Sequence, residues 1–419
     1  MNAISAPFTL ASGPRVVLQA RRFDRWLWRI PVITATFISK LAVPPFGAAG
    51  ISVAIPVLCA AGAAGVLTGR MLIDTRRMLA YIVLVAGLWA VQVLREGAFS
   101  PSSMLLLTAL HLPYVLSFRR IPNYDRVLAY YQQIALVIAL FGVVQYTVQF
   151  AIGPTLAFPI EHFMPEGFRV AAFNTQGYVQ YGSNVYRTNG VFMLEPSFFS
   201  QFLAIGVVIE LITRRRKWVM ATMGVAMLLS YSGTGIALLG ACLLYLGFSQ
   251  RRWVLLATLG AAVVAVFAFA GLVGNVPYVS VFIARASEFS SQGSSGFARF
   301  VGGFYLFDQF LWSDPVRALT GYGAGSFQLF SGRANYPVTG MALFKMVFEF
   351  GVVGAGVYFG FLYYCLMRSG APAVLRVGVG LCYLLSGNYI PFAHALAFTL
   401  LIWTAPHPGD AEADAVPAT

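Results

Sequence analysis

Charged side chains are scarce in this sequence. They make up 10% of its 419 residues, whereas a soluble domain typically carries about 25%. Hydrophobic residues make up 58%, and the mean hydropathy is +0.74. This composition excludes an ordinary soluble protein. It predicts an all-α, polytopic integral membrane protein, because a helix satisfies its own backbone groups inside lipid.

Cysteine and histidine are also rare, with four residues of each. The cysteines, which form no close pair and have no neighbouring histidine, are Cys59, Cys242, Cys365 and Cys382. This spacing excludes a disulfide framework and a zinc site. No histidine has a metal-ligand or triad neighbourhood, and no Asp-x-Asp cluster falls on the side that we expect to face outward. We therefore expect neither a metal nor another cofactor.

Acidic residues are outnumbered by basic ones, 15 to 28, which gives a formal charge of +13. Nineteen of the 28 basic residues fall in six short segments, at 15–29, 70–77, 119–126, 214–217, 251–252 and 368–376. Long stretches that are poor in positive charge separate these segments, as the positive-inside rule predicts. The basicity therefore indicates membrane topology. Without a compact basic motif, it does not indicate nucleic-acid binding.

Apolar runs cover most of the chain. We expect about 12 transmembrane helices, near residues 30–47, 49–68, 78–95, 103–118, 127–152, 196–213, 218–231, 234–249, 253–272, 341–366, 376–388 and 391–404. With twelve helices, both termini and all six basic segments are cytoplasmic. Residues 1–405 then form a single polytopic membrane domain that begins with an uncleaved basic leader. Residues 406–419 form a disordered acidic tail.

Two long segments fall on the outer side in this topology, at about 153–195 and 272–340. Both are rich in glycine, serine, asparagine and aromatic residues, as a loop that handles sugars would be. Loops longer than about 12–15 residues are usually functional or disordered. The aromatic content of these two favours order. The alternative is that they are solvated connectors.

The first outer loop ends with an arginine and a carboxylate, Arg187 and Glu195, just before an apolar helix. Charges are costly near hydrocarbon and usually have a function there. Glu195 is the best-placed general base, and the following Pro196 is a residue that can start a helix. The alternative is that Glu195 only stabilises the helix start, where a carboxylate is favoured.

Several arginines remain on the outer side, against the topological bias. They are Arg95, Arg169, Arg187, Arg285, Arg299, Arg317 and Arg333. A guanidinium binds phosphate through two hydrogen bonds and stays charged at any relevant pH. These residues therefore favour an anionic partner on that face, for which a lipid diphosphate is the membrane-borne candidate. The alternative for each arginine is an ion pair with a loop carboxylate or a lipid headgroup.

Three further segments have structural interpretations. Small residues at 230–235 favour close helix packing. The glycine-rich segment 321–327 lacks the preceding parallel strand of a nucleotide-binding loop. Lys345 and Glu349 are four residues apart on one expected helix, so we expect them to form an ion pair.

The order of these motifs resembles one family. Residues 187–197 read Arg-x-x-Gly-x-Phe-x-x-Glu-Pro-Ser and enter a helix, and a Ser-x-x-Gly hairpin follows at 230–233. A long outer loop then ends in Gly-Tyr-Gly-x-Gly-Ser-Phe, before a helix that contains Glu-Phe-Gly-Val-Val-Gly at 349–354. Over about residues 125–370, the chain resembles the O-antigen ligase and Wzy-type polysaccharide polymerase superfamily of bacterial inner membranes.

The resemblance implies a membrane-embedded, metal-independent, inverting glycosyltransferase of GT-C-like fold. Its substrate would be an undecaprenyl-diphosphate-linked glycan on the periplasmic face, and its product an exopolysaccharide, capsule or O-antigen polymer. Membrane lipid, a flippase and chain-length regulator or export proteins would be its partners. Arg187 matches the family's diphosphate-binding arginine, and Glu195 is the candidate base. The remaining candidates for binding diphosphate or glycan are Arg169, Arg285, Arg299, Arg317, Arg333 and Tyr336.

Two alternatives stay open beside a polymerase. A ligase would transfer the lipid-linked glycan to lipid A core or to protein. Such ligases typically carry a histidine near the end of the large outer loop, and residues 333–339 contain none, which favours a polymerase. A flippase or transporter of the same substrate would show an inverted repeat. The sequence shows no such repeat.

Overall fold

The computed structural model describes most of the chain. The described residues are 14–44, 51–95, 97, 99–171, 173–179, 184–254, 256–258, 260–261, 265, 292, 294–336, 338–386 and 391–405. Over these residues the protein is mostly helical, with one small sheet. Arg285, most of the segment expected at 253–272 and the acidic tail at 406–419 lie outside the described residues.

Long and short apolar helices alternate along the chain. The helices outside the two long loops are α1 Pro14–Ile33, α2 Ala54–Leu67, α3 Thr75–Leu94, α4 Pro101–His111, α5 Tyr124–Ile152, α8 Pro196–Ile212, α9 Lys217–Leu229, α10 Gly233–Ser249, α15 Ala342–Met367, α16 Ala373–Leu385 and α17 Phe392–Trp403. Among the described residues, α3, α5 and α15 are long and apolar enough to cross a membrane, and six more of these helices are apolar but shorter. These apolar helices indicate a membrane protein.

Two of the expected helices end well before their predicted boundaries. In the described part of the segment expected at 30–47, which reaches residue 44, the helix ends at Ile38, where α1 finishes in a π-helical turn, Thr34–Ile38. The hydroxyls of Thr34 and Thr36 in this turn donate back to main-chain carbonyls, a contact that distorts helices. The segment expected at 103–118 ends its α-helix at His111, because Pro113 has no N–H to continue the helical bonding.

A two-stranded antiparallel sheet follows these helix ends. β1, Met71–Ile73, pairs with β2, Leu116–Phe118, with Leu72 opposite Ser117. The pairing continues past the strands, since the N–H of Arg119 donates to the carbonyl of Arg70 at 2.9 Å. The sheet therefore brings two of the basic segments together.

Helix α8 is the centre of the core. Fourteen of its 17 residues are buried, which fits a helix that is apolar all round. Gly235 of α10 lies so close to Ser200 that an added Cβ would come within 2.5 Å of the serine Cβ. This contact confirms the expected close packing at 230–235.

Both outer loops contain short helices. The first has α6 Pro154–Ala157, α7 Pro159–Phe163 and a 3₁₀ turn, Glu166–Phe168. The described part of the second has α11 Ser295–Phe300, α12 Gly302–Leu306, a π-helical turn Phe307–Leu311, α13 Pro315–Thr320 and α14 Ser326–Ser331. Aromatic rings pack within each loop, as with Tyr178, which stacks on Tyr186 at 4.7 Å between centroids. The described parts of both loops therefore contain short helical turns and packed aromatic rings.

Candidate functional site

Glu195 precedes the first residue of α8. Its backbone is extended, and its side chain makes no hydrogen bond to the backbone N–H groups of the first turn. The carboxylate instead accepts hydrogen bonds from the backbone N–H of Asn174 at 3.0 Å and from the hydroxyl of Ser197 at 2.8 Å. These two donors hold the carboxylate of Glu195 between Asn174 of the first outer loop and Ser197 of α8. The carboxylate does not cap the helix in the usual way.

Arg299, on the short helix α11 of the second outer loop, lies within electrostatic range of Glu195. Burial lowers the pKa of Arg299, and the negative charge of Glu195 opposes that shift. The end of the same loop holds α11 in place, because the carbonyl of Ala298 accepts from the N–H groups of Thr339 and Gly340 at 3.1 and 3.2 Å. An arginine and a carboxylate from two separate loops are therefore close enough for their charges to interact.

The backbone on either side of Arg187 is fixed by helix α5. Gln149 accepts from the N–H of Tyr186 at 2.8 Å and donates to its carbonyl at 3.1 Å. The N–H of Arg187 itself donates to the carbonyl of Gly177 at 2.8 Å. The partly buried side chain of Arg187 thus extends from a rigid segment of the first outer loop.

Gln145 holds the next stretch of that segment. Its carbonyl oxygen accepts from the hydroxyl of Thr188 at 2.7 Å and from the N–H groups of Asn189 and Val191 at 3.0 and 3.1 Å. Sequence reasoning missed this residue. The signal was available, since Gln145 and Gln149 are four residues apart in an apolar helix and so share one face.

The turn after Asn189 has an unusual backbone. Gly190 and Val191 adopt φ values of +67° and +69°. A Cβ on Gly190 would come within 2.7 Å of Phe199 and 2.9 Å of Ile138. A β-branched residue such as valine rarely adopts positive φ, so Val191 is strained. Such strain persists only where the surroundings over-determine the backbone, and it is found most often at functional sites.

A buried ion pair of Lys40 and Glu161 contacts this turn at Val191. The ammonium of Lys40 lies 2.5 Å from the carboxylate of Glu161 and 2.5 Å from the carbonyl of Val191. The two side chains are only 2% and 3% exposed. Burial lowers the pKa of Lys40, and Glu161 opposes that shift. Sequence reasoning missed the pair, although Lys40 is a lone charge in an apolar run, which is a recognised signal.

A cavity of about 340 Å³ lies beside the ion pair. Arg169 and Glu166 line it together with Lys40 and Glu161, so its charges are balanced. The guanidinium of Arg169 donates to the carbonyl of Glu161 at 2.6 Å and lies 3.8 Å from the carboxylate of Glu166. Thr175, which also lines the cavity, accepts at its carbonyl from Asn189 at 2.6 Å. The cavity thus adjoins the segment that carries Arg187 and Glu195.

Three other predicted binding residues lie among the aromatic rings of the second loop. Tyr336 packs edge-on against Phe297 of α11, with the ring centroids 6.0 Å apart, which links it to the helix of Arg299. Arg317 pairs with Asp314 at 3.8 Å. Arg333 is exposed and lies over a phenylalanine ring.

The glycine-rich segment 321–327 is bound to α3 and α15. The N–H groups of Tyr322 and Gly323 donate to carbonyls of α15 at 2.8 and 2.9 Å, and that of Ala324 donates to Gln92 at 3.0 Å. These donors already have partners in the fold, so the segment does not form a phosphate cradle. The ion pair expected within α15 is confirmed, with Lys345 and Glu349 at 3.9 Å.

Two buried polar side chains lie at the first turns of α8, the helix that Glu195 precedes. His394 packs against Phe198, one turn into α8, with the ring centroids 4.9 Å apart. Gln201 is one turn further along α8 and fully buried. Neither side chain forms a hydrogen bond with any residue that the structure describes. The sequence shows no metal-ligand or triad neighbourhood for any histidine, His394 included, and Gln201 was not among the predicted site residues.

Comparison with known proteins adds no relative. No family model matches this chain, and neither the curated proteins nor the solved structures contain a match. The function has to be argued from the site itself.

Proposed function

We propose that this protein is a metal-independent, inverting glycosyltransferase that polymerises undecaprenyl-diphosphate-linked repeat units. The observation that carries the proposal is the hydrogen-bonded segment from Arg187 to Glu195 at the start of α8. Arg299 of the second outer loop lies close enough for its charge to interact with Glu195. A second arginine, Arg187, extends from a segment that Gln145 and Gln149 hold rigid. Rigid placement of charged groups is what an enzyme needs to stabilise charge that develops in a transition state.

In the proposed reaction, Glu195 takes the proton from a hydroxyl of the acceptor sugar. The hydroxyl oxygen then bonds to the anomeric carbon of the donor glycan, while the bond between that carbon and the diphosphate oxygen breaks. The electron pair leaves with undecaprenyl diphosphate, whose growing negative charge Arg187 and Arg299 neutralise. General-base catalysis of this kind contributes about 10²–10⁴-fold.

The membrane arrangement is part of the proposal. About twelve spans in a GT-C-like fold would place both termini in the cytoplasm and the two loops in the periplasm of a bacterial inner membrane. Helix α5 supports this arrangement. Arg126 at its basic end and Gln145 at the candidate site are nineteen residues apart, or about 28 Å along a helix. That length is close to the thickness of the hydrocarbon core, about 30 Å.

The test uses the full chain in detergent with lipid-diphosphate repeat units as substrate. The wild type should build a ladder of longer glycans, and chelation of divalent ions should leave the ladder unchanged. Arg187→Ala and Glu195→Gln should each lower the rate at least a hundredfold while leaving insertion intact. Arg214→Ala, which changes an exposed arginine beyond the far end of α8, is the control and should retain the wild-type rate.

Other outcomes would support a different function. A ladder of near-normal length from Arg187→Ala contradicts the proposal. Transfer only after a lipid A core or a protein acceptor is added indicates a ligase. Relocation of intact substrate across a vesicle membrane, with no new glycosidic bond, indicates a flippase. A mild effect of Glu195→Gln would leave this carboxylate only a structural role beside Arg299.

A further inference from the structure

A second and larger cavity, of about 820 Å³, lies at the other end of α5. It opens between α1, the turn after α2 and the residues that lead from β2 into α5. Six arginines line it: Arg25, Arg29, Arg70, Arg119, Arg120 and Arg126. Asp24 is the one carboxylate among the residues that line it. The cavity therefore carries a large excess of positive charge, unlike the charge-balanced cavity beside Lys40.

The fold itself gathers these arginines. The sheet of β1 and β2 joins the segment of Arg70 to that of Arg119, and α1 packs against the start of α5. Basic residues that served only to set topology would be free to spread over the cytoplasmic surface. Here three of the six basic segments converge on one cavity, which requires an explanation beyond topology.

Arg29 shows how the cavity is built. Its guanidinium lies over the rings of Trp28 and Tyr130, 5.1 and 4.9 Å from their centroids. The two rings meet edge to face at 5.4 Å, so they form a rigid wall behind the cation. The Nε of Arg29 is buried and forms no hydrogen bond with the residues that the structure describes. This buried N–H group is therefore a donor that a bound ligand could satisfy.

Carboxylates neutralise little of this charge. Asp24 forms an ion pair with Arg70. Among the described residues, no carboxylate pairs with the other five arginines of the cavity. Like charges this close repel one another, and an anion bound between them relieves the repulsion. Guanidinium groups bind phosphate in particular, because two N–H groups match two phosphate oxygens.

We propose that this cavity binds the phosphate-bearing headgroup of an anionic lipid in the inner leaflet. Basic pockets between membrane helices on the cytoplasmic side are typical sites for such headgroups. Apolar side chains such as Leu27 and Phe118 line the same cavity, and the neighbouring Trp26 is 53% exposed, as an interfacial tryptophan would be. A lipid, with a phosphate and acyl chains, matches both kinds of surface, whereas a free phosphate matches only the arginines. This inference does not depend on the proposed glycosyl transfer.

Native mass spectrometry of the full chain in detergent tests the proposal. The probes are phosphatidylglycerol, phosphatidylcholine and inorganic phosphate. The wild type should retain phosphatidylglycerol in preference to phosphatidylcholine, with an affinity that falls as salt rises. Arg29→Gln, Arg119→Gln and Arg126→Gln combined should weaken retention at least tenfold. The matched control, Arg214→Gln, Arg251→Gln and Arg252→Gln combined, changes three exposed arginines of other basic segments and should retain the wild-type affinity.

Three results would overturn the proposal. The first is equal retention by the triple variant and the wild type. The second is a loss of the same size in the control, which would indicate a general effect of surface charge. The third is saturable binding of inorganic phosphate that phosphatidylglycerol does not displace, which would make the ligand a free phosphate. If the triple variant does not fold, the two exposed changes, Arg119→Gln and Arg126→Gln, provide the same comparison and should weaken retention at least threefold.

Discussion

The buried pair of Lys40 and Glu161 gives the sharpest prediction for stability. Glu161→Gln leaves the Lys40 ammonium almost fully buried without a counter-charge. Breaking a buried pair in this way typically costs about 3–5 kcal/mol. In this variant Lys40 can avoid an unpaired buried charge by losing its proton. From an ordinary pKa of 10.5, deprotonation at pH 7 costs about 5 kcal/mol, and this cost is an upper limit on the loss of stability. We therefore expect a loss of about 3–5 kcal/mol in the free energy of unfolding, a large part of the 5–15 kcal/mol typical of a folded protein.

The pH dependence of this loss has a definite sign. Burial lowers the pKa of Lys40 in the fold, so the unfolded chain binds the lysine proton more readily than the folded chain does. Stability that depends on this group therefore rises with pH up to the ordinary lysine pKa. Glu161 opposes this shift in the wild type, so Glu161→Gln lowers the Lys40 pKa further. The variant therefore gains more stability with pH than the wild type does, and its deficit should shrink between pH 7 and 9, by up to about 1.4 kcal/mol per pH unit.

The assay is unfolding by sodium dodecyl sulfate in mixed micelles, followed by tryptophan fluorescence at pH 7, 8 and 9. Glu166→Gln is the matched control, because it is the same chemical change five residues further on. The Glu166 side chain is 95% exposed, 3.8 Å from its arginine, and exposed pairs contribute little. Equal losses from the two variants, or a Glu161→Gln deficit that grows with pH, would refute the reasoning.

Two further predictions concern the segment before α8. Gln145→Leu removes the acceptor shared by Thr188, Asn189 and Val191, and a displacement of about 1 Å at a reacting group can cost a hundredfold in rate. We expect this variant to insert normally and to elongate glycan chains at least tenfold more slowly; an unchanged rate in the ladder assay would contradict this. Gly190→Ala forces a Cβ against Phe199 at a positive φ. It should cost about 1–3 kcal/mol in the same unfolding titration, whereas Gly224→Ala, where a Cβ meets open space, should not destabilise the protein.

Apolar runs predicted the helices well where burial alone decides the structure. Helix α8 was expected at 196–213 and spans Pro196–Ile212. The expectation was wrong where side chains compete with the backbone. Thr34 and Thr36 distort the end of α1, and Pro113 ends the helical bonding after α4, so these apolar runs continue beyond their helices.

The candidate site was predictable only in part. Arg187 and Glu195 stood out because they are charges beside a long apolar helix. Gln145 could have been found in the same way, as a polar side chain on an apolar helix four residues from Gln149. Partners that are far apart in sequence could not be predicted. Lys40 and Glu161 are 121 residues apart, and no spacing rule pairs Glu195 with Arg299 across two loops.

Several separate interactions fix the turn after Arg187, and their number argues against a solvated connector. A solvated connector needs no buried glutamine, no buried ion pair and no strained valine, since loops tolerate mobility at little cost. Here Gln145, Lys40 and Gly190 all act on the residues between Arg187 and Glu195. Strain at Val191 is retained against a cost of about 1–3 kcal/mol. Under the proposed function, the strained turn would hold the Arg187 guanidinium and the Glu195 carboxylate at a fixed separation, as preorganised catalysis requires.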